Sequence, residues 1–437
     1  MARSVHRAWW VAFVTLLALV SAAAFRSSTG VLFIPIEQEF GWSRTTTSGA
    51  VSLNLVLYGL TAPFAAAIME RWGVRRTVAA ALTVVGVASL LTTAMTDPWQ
   101  LWVLWGLFIG VGTGAMALVL GAIVANRWFE AHRGLVIGIF SAANATGQLS
   151  FLPLIAVLAD GPGWRWAAGT VAFASLALVP FVLWLLSDRP ADVGLGPLGA
   201  ADLTLDAPLP PDLTEHPAPD QPAPAASGPL VLALTTLRDA SRRWPFWPLV
   251  LSFFVCGWST NGLMQTHFIP AADDFGMAPT VAATLLAMIG AFDIIGTVAS
   301  GWLTDRVDSR ILLAIYYAGR GIALFALPVV MDASIGVGLW FFIVFYGLDW
   351  VATVPPTVAL CRHHFGAERS GVVFGWVFAS HMIGAGAGAT LAGVLRMQQG
   401  TYLGAWQGAA VLCIAAALVV LTIPNARTRA HERVGTP

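Results

Sequence analysis

Residues 33–41 read FIPIEQEFG and residues 268–276 read FIPAADDFG, a shared Phe-Ile-Pro opening and acid-Phe-Gly close at an offset of 235. The same offset carries Glu70-Arg71 of MERWGVRR onto Asp305-Arg306 of LTDRVDSR, and Arg75 onto Arg310. Two separate matches at one offset indicate an internal duplication. Its setting is apolar: the chain is 57% hydrophobic and 11% charged, with a mean hydropathy of +0.75, more apolar surface than one water-soluble core can hide. Runs of about 20 apolar residues, enough to cross the hydrocarbon of a bilayer as helix, lie near residues 9–36, 46–69, 75–95, 99–125, 134–158, 165–187, 246–270, 280–303, 310–330, 334–360, 371–395 and 402–423. The offset spans six of these twelve runs, an even number, so the halves run in the same sense about an axis along the membrane normal. The expectation is an all-α integral membrane protein of twelve transmembrane helices in two six-helix halves, residues 1–187 and 244–437 with its tail. The first run mimics a secretory signal, with Arg3 and Arg7 before its apolar core and Ala22 and Ala24 resembling a cleavage site, but eleven further runs favour an anchor.

All 23 basic residues are arginine, so orientation follows by counting. With an even number of spans, 18 arginines fall on the side of the termini and three (Arg44, Arg165, Arg396) on the other; without the central connection the ratio is 14 to 3. Both termini are expected in the cytoplasm, the chain being a multi-pass protein of the inner cell membrane. The halves are joined by residues 188–243. Up to residue 229 this stretch holds ten prolines and seven acids against one arginine, the composition of a disordered linker. PLVLALTTLRDASRR then reads either as a short interfacial helix or as an unstructured basic tether. Cys256, Cys361 and Cys413 fall in or at the ends of spans and are read as small hydrophobes without a disulfide.

Ala66, Glu70, Arg71, Gly73, Arg75 and Arg76, and again Gly301, Asp305, Arg306 and Arg310, resemble the loop motif of the major facilitator superfamily. The resemblance covers all twelve spans. It implies a cytoplasmic gate at Glu70, Arg71, Arg75, Asp305, Arg306 and Arg310, where helices lock together when the carrier faces outward. RWFEAHRGLVIGIFSAA, with Trp128, Phe129, Arg133 and Leu135 before a run of small residues from Gly138, is similar to the fifth-helix signature of the monocarboxylate transporter and oxalate:formate antiporter branch. The Gly-Pro-Gly-Gly motif of drug:proton antiporters is replaced by SAANATGQLSFLP. Two positions depart from the branch: its first-helix lysine aligns with Ser27, beside Arg26, and its eighth-helix Asp-x-x-x-Arg is here Asp293 followed by Thr297.

Four ionisable residues sit within spans: Arg26, Asp293, Arg320 and Asp349. Such groups are costly in lipid and mark function by default, although structural pairing competes with that reading. Arg26 lies nine residues before Pro35, about 13 Å along a helix and well inside the bilayer. The resemblance places the first helix on the central path, where a guanidinium offers a planar fork of donors to a carboxylate. The offset takes Arg26 to Asn261, a polar counterpart in the other half. Asp293 either borrows a cation from Arg26 or Arg320 or stays protonated as a coupling site. Arg320 is read as a structural partner of Asp293 or Asp349, and Asp349 as facing the path, with Pro355-Pro356 breaking its helix. His267 and His381 are titratable but more often structural. Cys361, His363 and His364 lack a spaced fourth ligand, so an interfacial basic cluster is favoured over a metal site.

The sequence therefore predicts a secondary active transporter of small organic anions, a monocarboxylate by resemblance, using alternating access with proton coupling. Arg26, Asn261, Asp349 and His381 are the candidate substrate residues, and Asp293 and His267 the candidate proton carriers. Exchange of oxalate:formate type, drug or metabolite efflux, and a non-transporting sensor are the alternatives. The chain has no GxxxxGK[ST] loop and no HExxH cluster, so neither nucleotide-driven transport nor enzymatic activity is expected. No cofactor, metal or nucleic acid is expected; the partners are the bilayer, the anion and protons, with the chain a monomer.

Overall fold

The computed structural model describes residues 6–200, 228–332 and 335–424; within them, side chains are described except at 24–31, 33, 34, 44, 45, 48, 144, 145, 148–150, 152, 153, 156, 160, 279 and 280. The described chain is helical almost throughout. The first half holds α1 (Arg7–Phe40), α2 (Arg44–Trp72), α3 (Val74–Thr92), α4 (Pro98–Trp128), α5 (Arg133–Asp160) and α6 (Trp164–Leu185). A short helix α7 (Pro229–Ser241) precedes the second half. That half holds α8 (Phe246–Gly257, Trp258–Met264 and Gln265–Asp274 end to end), α9 (Pro279–Thr304), α10 (Ser309–Val330), α11 (Val337–Phe365), α12 (Ser370–Gln399) and α13 (Leu403–Leu421). All but α7 cross the membrane, six per half. Helices α4 and α8 each loosen into wider turns, at Trp102–Ile109 and Trp258–Met264.

The duplicated stretch now has a physical meaning at both copies. Gly41 and Gly276 adopt left-handed φ values of 68° and 78°, and Gly41 closes α1 by donating its N–H to the Glu37 carbonyl. The acid two residues earlier in each copy takes a bidentate guanidinium: Glu39 from Arg165 at 2.6 and 2.7 Å, Asp274 from Arg396 at 2.7 and 2.8 Å. Each copy thus ties the end of the first helix of its half to another helix of the same half, at the end of the bundle remote from the termini.

Within each half the outer pairs are α3 with α6 and α10 with α13; α1 lies on α5, and α8 on α12. The halves meet along two seams, α5 with α9 and α2 with α12. Both seams close over glycine at the end that carries the termini, called here the terminal end. A Cβ on Gly134 or on Gly301 would strike the carbonyl oxygen of the other. One on Gly138 would come within 2.6 Å of the Thr297 oxygen, and one on Gly375 within 2.6 Å of Pro63 Cα. Small residues let backbones approach this closely without side chains between them.

The linker expected over 188–243 is shorter than its composition suggests. Asp188 accepts the Arg75 N–H at 2.7 Å, Pro190–Val193 form a turn of helix, and Leu198 exchanges backbone hydrogen bonds with Trp128, Glu130 and Ala131. These bonds satisfy backbone groups that composition alone leaves to water. Residues 201–227 lie outside the described residues. Helix α7 lies across the second seam: Trp376 of α12 donates to the Ala233 carbonyl at 3.0 Å, Arg369 pairs with Asp239 at 2.9 Å, and α2 packs on its other side.

Overpacking the first seam tests this arrangement. Gly301→Leu is expected to destabilise the protein by about 1–3 kcal/mol, the usual cost of forcing atoms into a packed contact, seen as a lower melting temperature in detergent. Gly290→Ala, where a Cβ meets nothing within 4 Å, is expected to leave it unchanged.

Candidate functional site

Three of the four intramembrane charges converge on one defect. Helix α11 stops at Asp349, passes through a turn at Trp350–Thr353 and resumes at Val354. The break comes just before Pro355 and Pro356, which occupy the first turn of the second segment, where a missing N–H costs nothing. It leaves backbone groups unpaired at membrane depth, and each of several is taken up by a side chain from a neighbour. Arg320 of α10 donates through Nη2 to the carbonyls of Asp349 at 2.7 Å and Trp350 at 3.0 Å. Ser300 of α9 donates to the Ala352 carbonyl at 2.5 Å. Asp293 of α9 accepts the Val351 N–H at 3.0 Å through Oδ1, which Thr297 also meets at 2.7 Å. Irregular backbone survives inside a membrane protein only when neighbours satisfy it in this way.

Arg320 does more than bind carbonyls. Its Nε meets Asp349 Oδ2 at 2.6 Å in an ion pair whose arginine is 0% exposed. Nη1 reaches Cys256 Sγ at 3.2 Å and Ser259 Oγ at 3.5 Å on α8, and Tyr317 places its ring 5.8 Å from the guanidinium carbon. Cys256 also meets Thr353 Oγ1 at 3.3 Å, and Tyr346 Oη donates to the Ser259 carbonyl at 3.0 Å. The cluster links α8, α9, α10 and α11. Of the two partners expected for Arg320, the structure selects Asp349. The described ion pairs do not include Asp293, whose carboxylate is occupied by α9 and α11 instead. Ser259 and Ser300 were not singled out from sequence, since small polar residues in a span carry no periodic signal of their own; Cys256, read there as a small hydrophobe, instead meets Arg320 and Thr353.

The remaining candidates are dispersed. Asn261 lies in the wide turns of α8, half-buried, and its side chain makes no hydrogen bond among the described residues. Arg26 lies on α1, but its side chain falls outside the described residues. His381 is buried between Phe253 and Phe378, with ring centroids 4.9 and 5.8 Å away, and its ring acts on Cys256 of the cluster. His267 Nε2 faces the Ala389 carbonyl at 2.8 Å, which can only accept, so Nε2 carries the proton. Its Nδ1 then accepts from Tyr402 Oη at 3.2 Å.

At the terminal end the candidate gate residues divide. Asp305 of α9 crosses the first seam and caps α5, accepting the N–H groups of Gly134 at 2.7 Å and Leu135 at 3.2 Å, where the positive end of the helix dipole adds to the attraction. Glu70 pairs with Arg127 of α4 at 2.6 Å within its own half. Asn126, beside Arg127, reaches the other half twice: its carbonyl accepts from Arg362 at 2.9 Å, and its amide meets Ser370 Oγ at 3.3 Å. Arg306 folds over the Trp302 ring at 4.0 Å, and Arg310 pairs with Asp308 at 2.8 Å and holds the Ile423 carbonyl at 2.8 Å. Arg71 and Arg75 are exposed at the junction of α2 and α3.

Two six-helix halves, a twofold acidic-arginine loop motif and a seam closed at one end are together the architecture of a carrier. The family profile of the Major Facilitator Superfamily matches residues 15–389. The chain belongs to this superfamily. An uncharacterised MFS-type transporter of Bacillus subtilis, YcxA, is 24% identical over 90% of each chain. Monocarboxylate transporter 13 of Bos taurus is 25% identical over 91% of this chain and 85% of its own length, and monocarboxylate transporter 11 of Homo sapiens 26% identical over 93% and 83%. Among solved structures, the proton:xylose symporter XylE superposes with a TM-score of 0.69 at 14% identity, covering 95% of this chain and 96% of that one. The fucose:proton symporter FucP of E. coli gives 0.65 at 12%, covering 95% and 99%. These two share the fold. The chain is a multi-pass membrane transporter of small molecules and not an enzyme.

The cluster around α11 predicts an unusual mutational pattern. Asp349→Leu alone leaves a buried guanidinium uncompensated and is expected to cost about 3–5 kcal/mol. A simple buried ion pair is rescued by replacing both partners with apolar residues. Here the double variant Arg320→Met with Asp349→Leu is expected to stay destabilised, because the carbonyls of residues 349 and 350 lose their donor; full recovery of the melting temperature would show that the pair alone matters.

Proposed function

We propose that this superfamily member carries small organic anions, monocarboxylates first, across the inner cell membrane by alternating access with both termini in the cytoplasm. The observation that carries the proposal is the division of labour among intramembrane charges. Asp293, Arg320 and Asp349 all serve the break in α11, while Arg26 belongs to the other half, about 13 Å into α1 from Pro35. A permanent cation at that depth is suited to a carboxylate, which it can take through two parallel hydrogen bonds. The names of two relatives at 25 and 26% identity point to the same substrate class. The arginine distribution supports the orientation.

In the proposed cycle Arg26 takes the carboxylate and Asn261, at the equivalent position of the second half, orients the rest of the molecule. His381 lines the same site from α12. Asp349 joins the substrate site only in a state in which Arg320 releases it. With the seams closed over Gly134, Gly301 and Gly375, the terminal end is shut, as alternating access requires of an outward-facing state. Inward opening requires Asp305 to leave the N-terminus of α5 and the Asn126 contacts to part.

Two drivers remain. Proton symport uses Asp293 or His267 as carrier. Anion exchange is favoured by a specific observation: Asp293 already holds α11 and His267 already has both nitrogens engaged, so each has a structural duty that a free proton carrier lacks.

Uptake of labelled mono- and dicarboxylates into proteoliposomes, with and without an inward proton gradient, tests the proposal. Uptake is expected for monocarboxylates and is expected to fall at least tenfold in Arg26→Ala, about the loss of one charge-assisted hydrogen bond of 1.5–3 kcal/mol; undiminished uptake removes Arg26 from the site, and binding without accumulation makes the chain a sensor. Asp293→Asn keeps an acceptor for Val351 and is expected to fold. If Asp293 carries the proton, that variant loses the gradient dependence of wild type and keeps exchange; retained dependence assigns coupling elsewhere.

A further inference from the structure

A cavity of about 420 Å³ opens at the terminal end between the halves, in the size range of small-ligand sites. One wall is the start of α5, with Arg133 and Gly134; the other belongs to α9 and α11, with Asp305, Arg362 and His363. Its charged lining is two arginines and one carboxylate. Both Asp305 oxygens are occupied by the N–H groups of Gly134 and Leu135. Arg133 uses Nε on the Phe129 carbonyl at 2.7 Å, and Arg362 uses Nη1 on the Asn126 carbonyl at 2.9 Å. Their remaining N–H groups have no acceptor among the described residues, and neither arginine enters a described ion pair. Glu130 acts on both and Asp305 on Arg133 without entering a described ion pair with either, and the charge of Arg362 opposes that of Arg133. Two guanidinium groups held by backbone carbonyls on opposite walls of one cavity thus keep donors to spare for an anion between them, with Glu130 and Asp305 only partly offsetting their mutual repulsion.

We propose that this cavity is a binding site for a phosphate-bearing anion that bridges Arg133 of one half and Arg362 of the other, with His363 as a third donor, and so holds the terminal end closed. Phosphate suits the geometry better than a single carboxylate, because it offers oxygens to two guanidinium forks facing from different directions. The site is separate from the intramembrane residues proposed for transport. Such a ligand stabilises only the state in which the two walls are together, and so shifts the carrier toward it by its differential affinity. With the orientation proposed above, the ligand comes from the cytoplasm, as a soluble phosphate compound or as a lipid headgroup of the inner leaflet.

The test uses the wild-type protein, in detergent for the soluble probe and in nanodiscs for the lipid probes, and needs neither transport nor sidedness, so its failure and that of the transport proposal are distinguishable. Arginines are modified with phenylglyoxal and mapped by mass spectrometry, with pyrophosphate as soluble probe and with nanodiscs of phosphatidylglycerol against phosphatidylcholine as lipid probes. At about ten times its Kd, pyrophosphate leaves about one site in eleven empty and is expected to slow modification of Arg133 and Arg362 about tenfold, with Arg242 on α7 unchanged. Protection by phosphatidylglycerol alone supports the same site with a headgroup as occupant. Equal protection of Arg242, protection by oxalate but not pyrophosphate, or no protection by either probe overturns the proposal. As a second measurement, pyrophosphate is expected to raise the melting temperature of wild type saturably and not that of Arg133→Gln with Arg362→Gln; an equal rise in both overturns it.

Discussion

A helix that stops in the middle of a membrane has to hand its backbone groups to something, and in this protein that demand organises the second half. The turn at residues 350–353 of α11 frees carbonyls and an N–H where no water is available. Arg320, Ser300 and Asp293 meet them from two other helices, and Asp349, on the broken helix itself, supplies the counter-charge for Arg320. Remove the break and three costly charges have no purpose; remove the charges and the break is unaffordable. The interdependence explains why three of the four intramembrane charges are gathered around one element and not spread along a pathway.

The fold was legible because its signals are local or periodic. Apolar runs of the right length mark the spans, and the shared FIP and EFG/DFG signals fix the duplication. The structure gives those letters a cause: the glycine turns the chain at a left-handed position, and the acid clamps an arginine of its own half at the rim. Of the residues the loop motif marks, Asp305 crosses between halves, while Arg306 and Arg310 serve their own half. Their partners lie on a ring four residues away and at a carbonyl 113 residues away, and the motif distinguishes neither.

What the sequence left open was pairing over distance. Arg320 had two acids to choose from, and the choice depended on where α11 breaks. The double proline points to a break near residue 355 without saying that the chain turns before it, so the freed carbonyls, and with them the second duty of Arg320, were out of reach. Asp293 followed by Thr297 reads as a carboxylate that has lost its cation; in the fold it has gained a backbone N–H instead. The stretch at 188–200 reads as linker because its hydrogen bonds are made with segments more than fifty residues away.

The bare glycine contacts between α5 and α9 carry a thermal consequence. A joint closed by interlocking aliphatic side chains hides much apolar surface, and its opening brings a large heat-capacity change. A joint in which backbone lies on backbone at Gly134, Gly138 and Gly301 hides little. Parting this joint therefore adds little heat-capacity change, and the larger share falls to the second seam, where Tyr58 meets Phe378 and Phe64 meets Trp376 ring to ring.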